Sequence, residues 1–271
     1  LVTLSGFADE ISPDLETQLD VLTSEGIRHM DFRGVFGKKA VDLNDDELAL
    51  VKERLLARGV KVACIGSGIG KINIITGDLG KHMEDFHRTV YAAKALKARY
   101  IRLFSFYYIS PGKPEVYREA ILKQLRQYIR IAEREDVILL HENELRIYGD
   151  NLHNCLDLFE ACPSSHFRAI LDPANFLRTG VKPATHAYPA LKPHLAYFHI
   201  KDSKFAGTKY VNVPAGEGDG ELRELIAAVK RDGFSGVMGV EPHLQPRSPE
   251  SFRRAAGALK NLLQEAGVPW N

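Results

Sequence analysis

Cysteine is scarce in this chain: three in 271 residues, an odd number with no CxxC pair. That argues against a disulfide framework and makes a reducing, cytoplasmic setting the expected one. Cys64 in VKVACIGS reads as small core filler, and Cys155 and Cys162 read as packing residues on a helical stretch. None has an obvious base partner nearby in sequence, which speaks against a catalytic thiol. Long apolar runs are missing too. No stretch approaches the roughly 20 residues that span a bilayer, and no secretory signal pattern opens the chain. No long run carries charge of one sign, and the formal net charge is only +1. Neither nucleic acid nor a membrane is therefore an expected partner. No GxGxxG follows the first strand-like run, and no Walker-type GK[ST] ending occurs. No low-complexity linker or break in composition divides the chain, so residues 1–271 are expected to form a single domain.

What is present is a repeated alternation. Strand-like runs occur at LSGFADE, IRHMDFR, VKVACIGS, YIRLFSF, VILLHE, FRAILD, LAYFHIKD and GVMGVE. Between them apolar residues recur at spacings near three and four, which predicts helices. One opens after Ser12-Pro13 and stops at Gly26; another runs from Asp45 to Gly59. Further helices are expected over 78–97, 114–135, 151–161, 184–191, 220–232 and 249–266. Eight strand–helix units in a chain of this length predict a single (β/α)8 TIM barrel. The glycine-rich segment AGTKYVNVPAGEGDG is expected as an irregular loop after the seventh strand, with PAGEGDG as a plain turn.

The last four strand-like runs each end on a potential metal ligand: Glu142, Asp172, His199 and Glu241. Strand residues alternate between the barrel interior and the helix layer. Glu142 then shares a face with Ile138 and Leu140, Asp172 with Ile170, His199 with Tyr197, and Glu241 with Val237 and Gly239. Taken singly, each carboxylate fits a helix cap as well. Converging together, they would be costly to bury without pairing, hydrogen bonds or a cation. Such an oxygen-rich set with one imidazole suits one divalent ion, Mn²⁺, Mg²⁺, Co²⁺ or Zn²⁺.

Lys201 and His243 lie two residues past His199 and Glu241 and face the same way, as candidates for contact with a substrate oxygen or phosphate. Asn175 is placed to hydrogen-bond a hydroxyl or to cap the sixth helix. Glu10, Arg33, Ser67 and Arg102 stand near the ends of the first four strands; of these, Glu10 and Arg33 join the expected substrate contacts. His141 alternates outward, toward the helix layer, where a backbone group would satisfy it. His29, His82, His87, His153, His166, His186 and His194 read as surface or helix residues away from the mouth.

These segments resemble the sugar phosphate isomerase/epimerase branch of the xylose-isomerase-like TIM barrel superfamily. The resemblance rests on Glu142-Asn143, Asp172 in LDPANF, His199 in FHIKD, PAGEGDG at 214–220 and Glu241-Pro242-His243, with FADEISPDLETQ as the opening strand and helix. It implies a divalent metal held by Glu142, Asp172, His199 and Glu241, with the two glutamates also exchanging substrate protons. Two places depart from the epimerase pattern. Asn175 stands where a histidine is usual, and no arginine follows His199, the nearby cations being Lys201, Lys204 and Lys209.

The reaction expected is proton transfer at a carbon beside a sugar carbonyl, through an enediolate stabilised by the metal. If Glu142 and Glu241 act on opposite faces the carbon is inverted; if one carboxylate returns the proton to the adjacent carbon, an aldose and a ketose interconvert. A dehydratase or lyase on a sugar-like polyol acid is the alternative. An endonuclease IV-like phosphodiesterase fits less well, because Asn175 and Glu221 fall where its further histidines would stand. The expected partner is a small-molecule carbohydrate, with assembly into a homo-oligomer left open.

Overall fold

The computed structural model describes residues 1–110 and 113–271. Eight parallel strands close into a barrel in the order β1-β12-β9-β8-β7-β6-β5-β2. They are β1 (Thr3–Phe7), β2 (His29–Phe32), β5 (Lys61–Ile65), β6 (Tyr100–Leu103), β7 (Ile138–Glu142), β8 (Phe167–Leu171), β9 (Leu195–Ile200) and β12 (Val237–Val240). Each falls within its strand-like run, β1 alone starting one residue earlier, so the (β/α)8 TIM barrel read from the sequence is the fold the chain adopts.

Helices alternate with the strands: α1 (Leu15–Ser24), α2 (Asp45–Ala57), α3 (Leu79–Ala95), α4 (Arg118–Glu135), α5 (Leu152–Ala161), α6 (Pro173–Arg178), α7 (Tyr188–Leu191), α8 (Leu222–Arg231) and α9 (Pro249–Ala266). Their starts are set by local chemistry. Asp14 accepts the N–H of Thr17 at 2.8 Å to open α1, and Asn44 and Glu47 cap each other reciprocally at α2. Ser248 with Pro249 opens α9, and Gly267 closes it at φ 66°. Among the described residues no helix is long and apolar enough to cross a membrane.

The core has two layers. Leu140, Ile170, Tyr197 and Cys64 fill the barrel interior, backed by Ile138, Tyr100 and Val237. A larger layer packs between strands and helices. The alternation expected for the ligand-bearing strands is thus realised, and it fixes which residues reach the mouth.

Two small hairpins were not anticipated. β3 (Gly34–Val35) pairs with β4 (Lys38–Lys39), and β10 (Asp202–Phe205) pairs antiparallel with β11 (Tyr210–Val213). The second replaces much of the irregular loop expected over 205–220. Gly207, at φ 80°, makes the turn, and Phe205 and Tyr210 pack edge to face at 5.3 Å. The PAGEGDG segment does more than turn. Its N–H groups at Gly216, Gly218 and Gly220 all donate to the Asp202 carboxylate, at 2.8–3.0 Å. A Cβ at Gly218 or Gly220 would come within 2.4 or 2.6 Å of Asp202 Oδ1, so this close approach requires glycine.

Candidate active site

Strand geometry alone delivers the acidic groups. Glu142 is the last residue of β7, His199 the penultimate residue of β9, and Asp172 and Glu241 follow β8 and β12 directly. Glu142, Asp172, His199 and Glu241 are all at most 2% exposed. His199 Nδ1 lies 3.2 Å from Glu142 Oε1 and 3.4 Å from Glu241 Oε2. These three residues offer ligand atoms within 4.8 Å of one another. Asp172 is joined to them through Lys201, whose Nζ is 2.5 Å from Asp172 Oδ2 and 3.8 Å from Glu241 Oε2. Asp172 also caps α6, its Oδ1 accepting the N–H of Asn175 at 3.0 Å. Ligand and cap are therefore compatible roles for one carboxylate.

Around this acidic set stands a shell of cations. Arg102, 5% exposed, donates from Nη1 to Glu142 Oε2 at 3.1 Å and to Glu241 Oε1 at 3.4 Å. Its Nε and Nη2 are tied to the carbonyls of Ser67 and Gly66, both at 3.2 Å, so the guanidinium is held rigidly. Arg33 reaches Glu241 at 2.9 Å, Glu10 at 3.1 Å and Asp9 at 2.7 Å. His243 places Nε2 3.0 Å from Glu10 Oε1 and 3.4 Å from Glu241 Oε1, while its own N–H donates to Glu10 Oε2. Its backbone sits at φ 47°, a left-handed conformation uncommon outside glycine. The site opens into a cavity of about 720 Å³, whose lining includes Arg33, Ser67, Lys71, Arg102, Lys201 and His243.

The electrostatics follow from burial opposed by neighbours. Burial raises both glutamates, yet Lys201, His199 and His243 draw Glu241 well below the usual carboxylate range, and His199 and Arg102 do the same to Glu142. Burial with Glu142 and Glu241 nearby raises Asp172 to about 7, against the pull of Lys201. Lys201 stays protonated, because Asp172, Glu241 and Glu142 outweigh the cost of its burial. Burial lowers His243, but its contacts with Glu10 and Glu241 raise it to about 9.

The donor set fits a divalent cation. His199 Nε2 is buried with no hydrogen-bond partner, and His199 Nδ1, Glu241 Oε2 and Asp172 Oδ2 have only undirected contacts with the charged groups beside them. Buried atoms of this kind are costly unless something satisfies them. An imidazole nitrogen and carboxylate oxygens, on separate strands and facing one point, are what a hard or borderline divalent ion takes.

The structure gathers Glu142, His199, Glu241, Asp172, Lys201, His243, Glu10 and Arg33 into one cluster. Asn175 joins the cluster only through its backbone N–H on Asp172: its side chain is buried and donates from Nδ2 to the carbonyl of Asn143. It is Asp172, not Asn175, that caps the sixth helix. Arg102 contributes more than the sequence suggested. The signal available was its alternation with Tyr100 on β6, which puts it on the inward face. His141 does lie in the helix layer, beside Phe159 and Phe167, but a serine side chain satisfies it: Nε2 is 2.9 Å from Ser105 Oγ. His82 is on a helix, α3, as expected, but rather than lying away from the mouth it is 9% exposed and lines the cavity, accepting the N–H of Gly70 at 2.7 Å.

The family model described as xylose isomerase-like TIM barrel matches residues 20–262. No curated protein matches the sequence. Among solved structures, the probable 3-DHS dehydratase AsbF from Bacillus anthracis aligns with TM-score 0.79 at 17% identity, covering 96% of this chain and 98% of that one. A xylose isomerase-like TIM barrel protein from Mycobacterium smegmatis, in complex with magnesium, aligns at 0.74 and 15%, covering 99% and 97%. D-allulose 3-epimerase from Methylomonas sp., in complex with D-allulose, aligns at 0.74 and 15%, covering 97% and 96%. At such identities the likeness establishes the fold, while activity has to be argued from the site.

Proposed function

The chain belongs to the xylose isomerase-like TIM barrel family, and we propose that it is a divalent-metal-dependent isomerase or epimerase of a sugar or sugar phosphate. The observation that carries this reading is the convergence of Glu142, His199 and Glu241, the two glutamates lining the cavity and His199 buried behind them, with buried donor atoms left without directed hydrogen bonds. Glu142, Asp172, His199 and Glu241 would hold the ion. When bound, it supplies Lewis-acid stabilisation of the negative charge that develops beside a substrate carbonyl.

The remaining chemistry belongs to the chain. Glu142 and Glu241 come from separate strands and flank His199, so one can take a proton from carbon while the other returns it. Arg102 touches both and fixes their relative orientation. Return of the proton from the far side inverts the carbon; return to its neighbour interconverts aldose and ketose. The magnesium-bound and D-allulose-bound neighbours support this reading by analogy of fold.

A dehydratase acting on a polyol acid is the second reading. It is favoured by the arginines and lysine crowded against the carboxylates, an arrangement suited to an acidic substrate, and by the likeness to the probable 3-DHS dehydratase. Metal analysis of the purified protein, followed by solvent deuterium exchange into a panel of ketoses and ketose phosphates, tests the first reading. Bound metal with exchange into one of them supports it. Metal without exchange in any moves the assignment to the dehydratase, and failure to bind any divalent ion removes both.

A further inference from the structure

Three cations that line the cavity, Arg33, Lys71 and Arg102, are backed by buried aromatic rings. Arg33 Cζ lies 4.8 Å from the centroid of Phe7, Arg102 Cζ lies 5.3 Å from Phe7 and 5.0 Å from Phe104, and Lys71 Nζ lies 4.2 Å from Phe104. The ring faces hold these cations in place and partly shield them from water. Lys201 faces the same space and is 4% exposed. Burying cations is expensive, and their neighbours show how the cost is met: Arg33, Arg102 and Lys201 pair with Glu241, Glu142 and Asp172. Those same carboxylates are the proposed ligands of the metal ion.

A divalent ion on these carboxylates draws off the negative charge that balances Arg33, Arg102 and Lys201. Arg102 and Lys201, 5% and 4% exposed, are then left under-neutralised, and Arg33 keeps only Asp9 and Glu10. Neutral hydroxyls do not restore the balance; an anionic group does, and a guanidinium edge matches carboxylate and phosphate oxygens in geometry. We propose that the substrate is an anion, its carboxylate or phosphate seated against Arg33, Arg102 and Lys201, and that metal and anion bind cooperatively. This rests on the metal reading above and narrows its substrate class. By linkage, the metal strengthens anion binding as much as the anion strengthens metal binding.

Titration calorimetry on the metal-free protein, and on protein loaded with Mn²⁺, Mg²⁺, Co²⁺ or Zn²⁺, tests it with three probes: D-fructose, D-fructose 6-phosphate and D-gluconate. On the loaded protein one or both anionic probes should bind at least about tenfold more tightly than fructose. That preference should shrink when the metal is removed. Comparing the two anions decides between phosphate and carboxylate. R33Q and R102Q should lose the preference yet still bind the metal, with R33K and R102K retaining part of it. If a neutral variant fails to fold, the wild-type comparison with and without metal stands alone. Equal affinities, tighter binding of fructose, or no binding of either anion to the loaded protein would overturn the proposal and leave the metal reading in place. Failure of every ion to bind would remove that reading, and the proposal with it.

Discussion

From β7 onward, each barrel strand ends on a member of the buried polar cluster: Glu142, Asp172, His199 with Lys201, and Glu241. The earlier strands deliver a different set. Phe7 ends β1, Arg33 follows β2, the loop from Gly66 follows β5, and Arg102 lies on β6. One half of the barrel thus supplies the acidic donors and the other supplies cations, aromatic faces and most of the cavity wall. Under the proposed function, the contrast separates chemistry from recognition. Donors on strand ends are held by the barrel ladder itself, whereas a wall built on loops can vary without disturbing them. Some groups cross the line: Lys201 and His243 are cations of the acidic half, and Asp9 and Glu10, just past β1, pair with Arg33, Glu10 also holding His243 at 3.0 Å.

The division breaks first if the acidic half is dispensable. Glu142→Gln and Glu241→Gln each keep the side-chain shape but remove the base, and turnover on the true substrate should fall by about 10²–10⁴-fold. Steady-state kinetics check this, with circular dichroism confirming the fold; a variant within tenfold of wild type would return the proton transfer to the other half. A metal effect should come next in size. At a concentration about 100 times its dissociation constant, the preferred ion should raise unfolding free energy by about 2.7 kcal/mol. Asp172→Asn and His199→Ala should lose that gain in thermal unfolding, while Ser67→Ala, in the other half, should keep it.

How much of this was legible in the sequence follows the same line. Candidate ligands at the ends of strands were visible because strand alternation and β/α order specify direction: Glu142 with Leu140 and His199 with Tyr197 emerge where the period-two pattern puts them. Arg102 obeyed the same alternation, but an arginine near a strand end is ordinarily solvated, and only three-dimensional closure put it against Glu142 and Glu241. His82 was illegible for a related reason. It sits on a helix with an amphipathic pattern, and its partner Gly70 belongs to a loop whose path sequence does not encode. The glycines of PAGEGDG looked like a turn because the carboxylate they enclose, Asp202, lies fourteen or more residues earlier.

Besides the contacts of Arg33, Arg102 and Glu10, the two halves meet at a polar point inside the barrel, and disturbing it should weaken both. Asp31 on β2 is fully enclosed and accepts the hydroxyl of Tyr197 on β9 at 2.6 Å. A Cβ at Gly239 on β12 would stand 2.5 Å from Asp31 Oδ2, so Gly239→Ala forces the carboxylate or a strand to move. Overpacking of this kind costs about 1–3 kcal/mol. Urea denaturation should show the loss as a lower midpoint at unchanged slope. An unchanged midpoint would mean that the halves are not mechanically joined there.

The smallest effect is expected at His82, on the recognition side, and it sharpens the contrast through pH. Burial, opposed by Asp85 and aided by Lys81, lowers its folded pKa below the unfolded value near 6.5. Its Nε2 must also stay unprotonated to accept the N–H of Gly70. Between the folded and unfolded pKa values the unfolded chain binds the proton more readily, so stability falls as pH drops below about 6.5. The slope from this one group is bounded by about 1.4 kcal/mol per pH unit. His82→Gln should flatten the difference in stability between pH 7 and pH 5 relative to wild type. Because the Gly70 loop lines the cavity, the same variant should raise KM more than it lowers kcat. A fall in kcat with KM unchanged would place His82 with the chemistry and erase the line between the halves.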